Sequence, residues 1–121
     1  MTRLVIVDGA NVVGSVPDGW WRDRRGAAER LRDRLAALAG EGTPVLPGPW
    51  DVVLVVEGAA RGTVAVPGVR VEEAPGSGDD RIVELAAAAA GECTVVTADR
   101  ALRERVAAEG ARTVGPRTVY G

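Results

Sequence analysis

Three short apolar runs that end next to an acidic residue constrain the fold of this chain more than any other feature of its sequence. The runs are residues 4–7 followed by Asp8, residues 52–56 followed by Glu57, and residues 94–97 followed closely by Asp99. Unbroken apolar runs of this length are typical of strands that are buried on both faces of a parallel sheet. Because the carboxyl ends of parallel strands face one crevice, we expect the three acids to converge there.

Helical patterns alternate with these strands. We predict strands at residues 3–8, 51–57, 69–73, 93–97 and 112–114, and helices at 22–39, 77–90 and 99–109. The strand at 69–73 alternates apolar and polar residues, which favours an edge position. Residues 58–68 are ambiguous, because 63–66 could form a strand of their own. The pattern predicts one α/β domain over residues 1–121, with a mainly parallel sheet of about five strands and helices on both faces.

Composition excludes several kinds of chemistry. The chain has no histidine and a single cysteine, Cys93, so it cannot build a histidine-dependent nucleophile, a zinc site with histidine ligands or a disulfide framework. We expect Cys93 to be buried and inert. The 15 basic residues, all arginine, stand against 17 acidic ones, and a net charge of −2 selects no partner.

No segment has the layout of a signal peptide, and no apolar run reaches the length of a membrane span. We therefore expect a cytoplasmic protein without a membrane partner. The sequence leaves both a monomer and a homodimer open.

Each acid has a structural explanation, which must be weighed against a role in chemistry. Asp8 could form a turn, Asp79, Asp80 or Asp99 could cap a helix, and Glu57 could be solvated. Several carboxylates in one crevice nevertheless repel each other unless a proton or a cation offsets their charge. Arginine could be that cation. The alternative is Mg²⁺ or Mn²⁺, which prefers oxygen ligands and supports phosphodiester hydrolysis without histidine.

The paired acids at the start of the second long helix are expected to have different roles. Residues 77–80 fit a capping box, which assigns Asp80 to the helix terminus and leaves Asp79 free to point into the crevice. We therefore predict Asp79 as a metal ligand and Asp80 as its helper.

Three polar residues could support these acids. Asn11 follows Asp8 closely and could orient a carboxylate, hold a phosphate oxygen or only tie down a turn. Ser15 and Thr97 could hydrogen-bond to the ligands from behind, although each residue type is more often structural.

An aromatic and basic segment, residues 20–25, precedes the first long helix. Trp20 and Trp21 are adjacent and cannot both face the same core, so we expect one of them to be exposed or to lie at a groove edge. Exposed aromatic rings beside Arg22 and Arg24 suit base stacking and phosphate contact on single-stranded nucleic acid. The alternative is a hydrophobic plug that anchors the helix.

The motifs at residues 8–13, 78–80 and 96–102 resemble those of NYN domains, in particular the YacP-like branch of the PIN-like nuclease superfamily. This resemblance implies a Rossmann-like sheet of order 3-2-1-4-5 and RNA cleavage that depends on Mg²⁺ or Mn²⁺. The family's acids fall on Asp8, Asp79 and Asp99, and its polar residue after the first strand falls on Asn11. Glu57 stands where relatives usually carry aspartate.

The leading hypothesis is a metal-dependent endoribonuclease that hydrolyses RNA phosphodiester bonds. The metal would be held by Asp8, Asp79 and Asp99, assisted by Glu57 and Asp80, and RNA would be contacted by Trp20, Arg22, Arg24 or Arg100. The alternative is a catalytically inactive RNA-binding or ribosome-associated module of the same fold. A third hypothesis is a phosphohydrolase that acts on mononucleotides.

Overall fold

A computed structural model describes residues 2–120 of the chain. The strands are β1 (Arg3–Asp8), β2 (Trp50–Val56), β3 (Val69–Glu73), β4 (Thr94–Val96) and β5 (Arg112–Val114). The α-helices are α1 (Gly9–Gly14), α2 (Arg24–Leu38), α3 (Gly78–Ala88), α4 (Arg100–Ala108) and α5 (Arg117–Tyr120). Two short 3₁₀-helices, Trp20–Arg22 and Gly58–Ala60, complete the regular structure of the described part.

The five strands form one parallel sheet with the order β3-β2-β1-β4-β5. This is the predicted order, and the predicted edge position of β3 is confirmed. From the central strand β1, the strands β2 and β3 follow on one side of the sheet and β4 and β5 on the other, so the strand order reverses between β1 and β4. Ligands of open α/β sheets bind beyond the carboxyl ends of the strands at such a reversal.

The central strands are buried on both faces, as their unbroken apolar runs predict. Successive strand residues point to opposite faces. Val5, Val7 and Leu54 therefore pack against the layer that contains α1 and α2, whereas Ile6 and Val53 pack against α3 and α4. These five side chains are at most 2% exposed. Helices on both faces are thus confirmed, and the two layers hold the strand ends in fixed positions.

Two segments follow a course that the sequence pattern does not predict. The six-residue helix α1 starts directly after β1, so the chain turns sharply at the first acid. Residues 58–68 contain the second 3₁₀-helix, and Val66 forms only an isolated antiparallel bridge to Val69. Residues 63–66 therefore do not form a strand.

Two further expectations concern single features of the chain. Cys93 is buried at 7% exposure, as predicted, and burial raises the pKa of its thiol. Among residues 2–120, no helix combines the length and the apolar character that crossing a membrane requires.

Candidate active site

The predicted acids meet in an open crevice at the carboxyl ends of β1, β2 and β4. The crevice has a volume of about 350 Å³. Its polar lining comes from different elements and consists of Asp8, Asn11, Glu57, Ser77, Asp79 and Asp99. The structure therefore brings together all the predicted acids except Asp80.

Asp8 lies at the base of the crevice and is only 6% exposed. The Thr97 hydroxyl donates a hydrogen bond to Asp8 Oδ2 at 2.8 Å, and the Asn11 backbone N–H approaches Oδ1 at 3.5 Å. Burial raises the pKa of Asp8 from 3.8 to about 6. The two hydrogen bonds oppose this rise, whereas the charges of Asp79 and Glu57 add to it. The buried carboxyl thus keeps a high proton affinity that a neighbouring cation would lower.

Asp79 has the freest carboxylate of the group. Within residues 2–120 its carboxylate accepts no side-chain hydrogen bond and forms no ion pair, and its backbone N–H donates to Ser77 Oγ at 3.1 Å. Partial burial raises the pKa of Asp79, and the charges of Asp99 and Glu57 raise it further, with Arg105 opposing them. A carboxylate in this state has oxygen lone pairs available for a ligand.

Glu57 turns its carboxylate to the start of α3, where Oε2 accepts a hydrogen bond from the Gly78 backbone N–H. Gly78 is buried, and a Cβ atom at this position would lie 3.1 Å from the same oxygen. The glycine therefore permits a close approach. Because Asp79 follows directly, the long arm of Glu57 fixes the position from which the Asp79 side chain enters the crevice.

Asp99 and Asn11 both fix the backbone around the crevice. Asp99 Oδ1 accepts a hydrogen bond from Leu102 N at 3.0 Å and caps α4. Asn11 Oδ1 accepts one from Ala98 N at 2.8 Å, which ties α1 to the loop after β4. The Thr97 hydroxyl accepts a hydrogen bond from the Asp99 N–H at 3.1 Å and donates one to the Asp8 carboxylate. Thr97 therefore supports two acids from behind.

Two predicted residues lie elsewhere. Ser15 donates from Oγ to Val12 O at 2.6 Å, does not line the crevice, and closes the end of α1. Ser77 is the N-cap of α3, as the predicted capping box requires, but the predicted role of Asp80 in that box is wrong, because Ser77 accepts from the N–H of Asp79 and not from that of Asp80. Asp80 instead forms an ion pair with Arg105 at 3.0 Å on the exposed surface. It is the one predicted metal ligand that lies outside the crevice lining.

The donor set suits a hard cation that keeps part of its hydration shell. All the charged groups of the lining are carboxylates, the ligands that Mg²⁺ and Mn²⁺ prefer. Within residues 2–120, no three acidic, histidine or cysteine side chains are placed so that they could hold one metal ion together. Mg²⁺ usually takes one or two protein carboxylates and completes its shell with water and substrate phosphate. The open crevice fits that mode of binding and does not fit a closed cage.

The two tryptophans form an edge-to-face pair with ring centroids 6.0 Å apart. Trp21 is 55% exposed, whereas Trp20 is half-buried, so the prediction that one ring is exposed or at a groove edge is confirmed. The guanidinium of Arg24 lies 5.3 Å from the Trp20 ring, and that of Arg22 lies 5.7 Å from the Trp21 ring. Arg100 is exposed at the first position of α4.

A second pocket, of about 330 Å³, borders the crevice and was not expected from the sequence. Trp20 and Arg24 form part of it, together with Ala60 and Arg61 from the ambiguous segment. The only sequence signal was the Trp-Arg segment, because the other side comes from a loop without regular periodicity.

The strand order and the helix layers on both faces define an α/β fold with one five-stranded parallel sheet. The solved structure of Rae1 (YacP) from Bacillus subtilis has the same fold, with a TM-score of 0.72 and 22% sequence identity over 98% of this chain and 72% of that one. Its W164L mutant matches with a TM-score of 0.73 and 22% identity over 98% and 73% of the two chains. No protein family and no curated protein matches this chain by sequence. The predicted resemblance is thus confirmed for the fold.

Proposed function

We propose that this chain is an endoribonuclease that depends on Mg²⁺ or Mn²⁺ and hydrolyses phosphodiester bonds of RNA. The observation that carries the proposal is the acidic lining of one crevice by residues from four separate parts of the chain. The same crevice contains a buried carboxyl whose pKa rises to about 6. Several carboxylates close together at the point where the strand order reverses repel each other unless a counter-ion is present. Acidic residues with a shifted pKa are also typical of functional sites.

Each residue of the crevice has a role in this proposal. Asp8, Asp79 and Asp99 would hold the cation, one or two of them directly and the rest through its bound waters, and Glu57 would keep Asp79 in place through its bond to α3. When bound, the cation supplies Lewis-acid chemistry, which activates water and stabilises the leaving oxygen. Asn11 keeps the loop after β4 next to α1, so that the first and last acids stay on the same side of the substrate.

RNA is the proposed substrate because basic and aromatic side chains flank the acids. Trp20 and Arg24 line a pocket that shares Ala10 and Glu57 with the crevice. Arg22 lies over the exposed Trp21 ring, and Arg100 lies exposed at the start of α4. Guanidinium groups bind phosphate, and aromatic rings stack on unpaired bases. Such a substrate would place the reaction in the cytoplasm, where the protein could act alone or in association with the ribosome.

The alternative is an RNA-binding or ribosome-associated module that cleaves nothing. It is favoured by the fact that the carboxylates of Asp8, Glu57 and Asp99 each already accept a hydrogen bond from the protein. A module of this kind should gain little thermal stability from Mg²⁺ or Mn²⁺, whereas a functional site is stabilised by any ion that binds the folded state alone.

The matched pair Asp79→Asn and Asp80→Asn tests the nuclease proposal. These acids are adjacent and chemically identical, yet only Asp79 lines the crevice. Purified wild type and both variants would be incubated with mixed cellular RNA in Mg²⁺, Mn²⁺ or EDTA. We expect metal-dependent products from wild type and Asp80→Asn, and a loss of at least about a hundredfold in Asp79→Asn, as is usual for a group that stabilises charge in the transition state.

Absence of cleavage by wild type with either metal would refute the proposal and favour the binding module. Equal losses in the two variants would refute the assignment of Asp79 as the ligand and Asp80 as a surface residue. Thermal unfolding of all three proteins in EDTA provides the control for folding.

A further inference from the structure

The pocket beside the acidic crevice is built from apolar walls with two guanidinium groups at its edge. Its volume of about 330 Å³ lies at the small end of the range for ligand sites. Its apolar walls come from α1, α2, β2 and the segments after β2 and β3, and consist of Val13, Ala28, Val56, Ala60 and Pro75. A site for phosphate alone would not need these walls, so the shape and chemistry favour a flat, largely apolar group.

The basic groups of the pocket are available to a ligand. Arg24 is held over the indole of Trp20, and Arg61 donates from Nε to Gly58 O at 3.3 Å. Within residues 2–120, neither guanidinium forms an ion pair with a carboxylate. Nucleobases stack on both aromatic rings and guanidinium planes, and the exposed edges of these arginines can meet phosphate.

The rim formed by residues 58–63 is held in place by hydrogen bonds. The Thr63 hydroxyl donates to Ala60 O at 2.8 Å, and the Gly62 N–H donates to Glu73 Oε2 at 2.6 Å. Thr63 is itself buried. Because the rim is anchored to β3, the pocket is preformed and a ligand would not have to order it first.

The pocket and the acidic crevice are continuous. Both are lined by Ala10 and Glu57, so they share one wall without an intervening element. An RNA strand whose phosphate lies in the crevice therefore has its neighbouring nucleotide at the mouth of the pocket.

We infer that this pocket takes the unpaired base of the nucleotide next to the cleaved phosphate, which makes the substrate single-stranded at that position. The inference rests on the proposed function, because it takes the crevice as the place where the RNA backbone is cut. A paired base cannot enter the pocket, since its Watson–Crick edge and both its faces are covered within a helix.

The test is RNA binding in EDTA, where cleavage cannot occur. Fluorescence anisotropy would follow a labelled single-stranded oligouridylate with wild type, one matched pair of variants and Trp20→Leu. Ala60→Leu fills the pocket, whereas Ala59→Leu adds the same group at an exposed neighbour that does not line it. Trp20→Leu removes the aromatic ring that lines the pocket.

We expect Ala60→Leu and Trp20→Leu to weaken binding roughly tenfold, the effect of losing one stacked base. The control, Ala59→Leu, should stay within about twofold of wild type. Wild type should bind an oligonucleotide with one abasic site roughly tenfold more weakly than the intact one. Ala60→Leu should bind the two oligonucleotides almost equally, because the abasic site and the substitution remove the same contact. Thermal unfolding checks that every variant folds.

Equal binding by Ala60→Leu and Ala59→Leu, or additive losses from the abasic site and Ala60→Leu, would overturn the pocket assignment. So would mononucleotides that bind as tightly as the oligonucleotide. The proposed nuclease is tested separately by metal-dependent cleavage. A protein that binds in the expected pattern but never cleaves would keep the base pocket and lose the catalytic proposal.

Discussion

Replacement of Asp8 by asparagine should stabilise the folded protein at neutral pH while it abolishes RNA cleavage. The Asp8 carboxyl is buried, and its pKa rises from 3.8 to about 6 mainly because burial disfavours the charged form. Asparagine has the same shape without the charge. Its amide can keep both contacts, since its oxygen can accept from the Asn11 N–H and its NH₂ can donate to the Thr97 hydroxyl.

The size of the effect follows from the difference in pKa between the folded and unfolded states. Because the pKa of Asp8 is higher in the folded state, the folded protein binds the proton more tightly, and its stability falls as the pH rises from about 4 to about 6. A tenfold change in proton affinity corresponds to about 1.4 kcal/mol, so ionisation of this group costs about 3 kcal/mol above pH 6. The variant avoids this cost. Its advantage should be about 0.5 kcal/mol at pH 4 and about 3 kcal/mol at pH 7.5.

Urea unfolding of both proteins in EDTA at these two pH values measures the advantage. Asp33→Asn serves as the control, because Asp33 is 66% exposed and its replacement should change the unfolding free energy by less than about 0.5 kcal/mol at either pH. An Asp8→Asn protein that is less stable than wild type at pH 7.5 would refute the reasoning. Such a result would show that the hydrogen bonds to the ionised Asp8 carboxylate stabilise the folded state by more than the burial of its charge costs.

Two further substitutions test how the crevice is built. Glu57→Asp should lower the free energy of unfolding by about 1–2 kcal/mol, because the shorter arm cannot reach the first N–H of α3; unchanged urea unfolding would contradict the positioning role. Gly9→Ala should cost about 1–3 kcal/mol in thermal unfolding, because a Cβ atom would lie 2.5 Å from Val55 O. Gly14→Ala is the control, since its nearest neighbour would be a Trp20 ring atom at 3.7 Å; equal losses at the two positions would contradict the close packing of α1 on β2.

Local pattern predicted most of the fold and the convergence of the acids, because both follow from short-range hydrophobic order. The edge strand β3 matches its predicted bounds, since residues 69–73 alternate in the way that a half-buried strand requires. The helix α1 was missed because six residues are too few to show a helical period. The segment 58–68 could not be predicted because contacts distant in sequence hold it, such as Arg32 to Val64 O and Gly62 to Glu73.

The roles of Asp79 and Asp80 also depend on a distant contact. Local sequence favours a capping box at residues 77–80, but Arg105 on α4 pairs with Asp80, and Ser77 bonds to the N–H of Asp79 instead. The ion pair with Arg105 holds the Asp80 side chain away from the crevice, while Asp79 remains in the crevice lining. Asp79 therefore lines the crevice as expected, but for a different physical reason from the one that the pattern suggested, and its role as a metal ligand stays a prediction.

The structural and chemical explanations of the acids are compatible in this protein. Asp99 caps α4 through the Leu102 N–H, and Glu57 accepts the Gly78 N–H at the start of α3, so two helix N-termini point their partial positive charge at the crevice. This charge reduces the repulsion between the carboxylates and lets the site assemble before any cation arrives. An oxygen that accepts one N–H still has a free lone pair, so capping does not prevent it from binding a metal ion. The caps would then fix the ligand positions in advance, and binding of a cation would not have to order the site first.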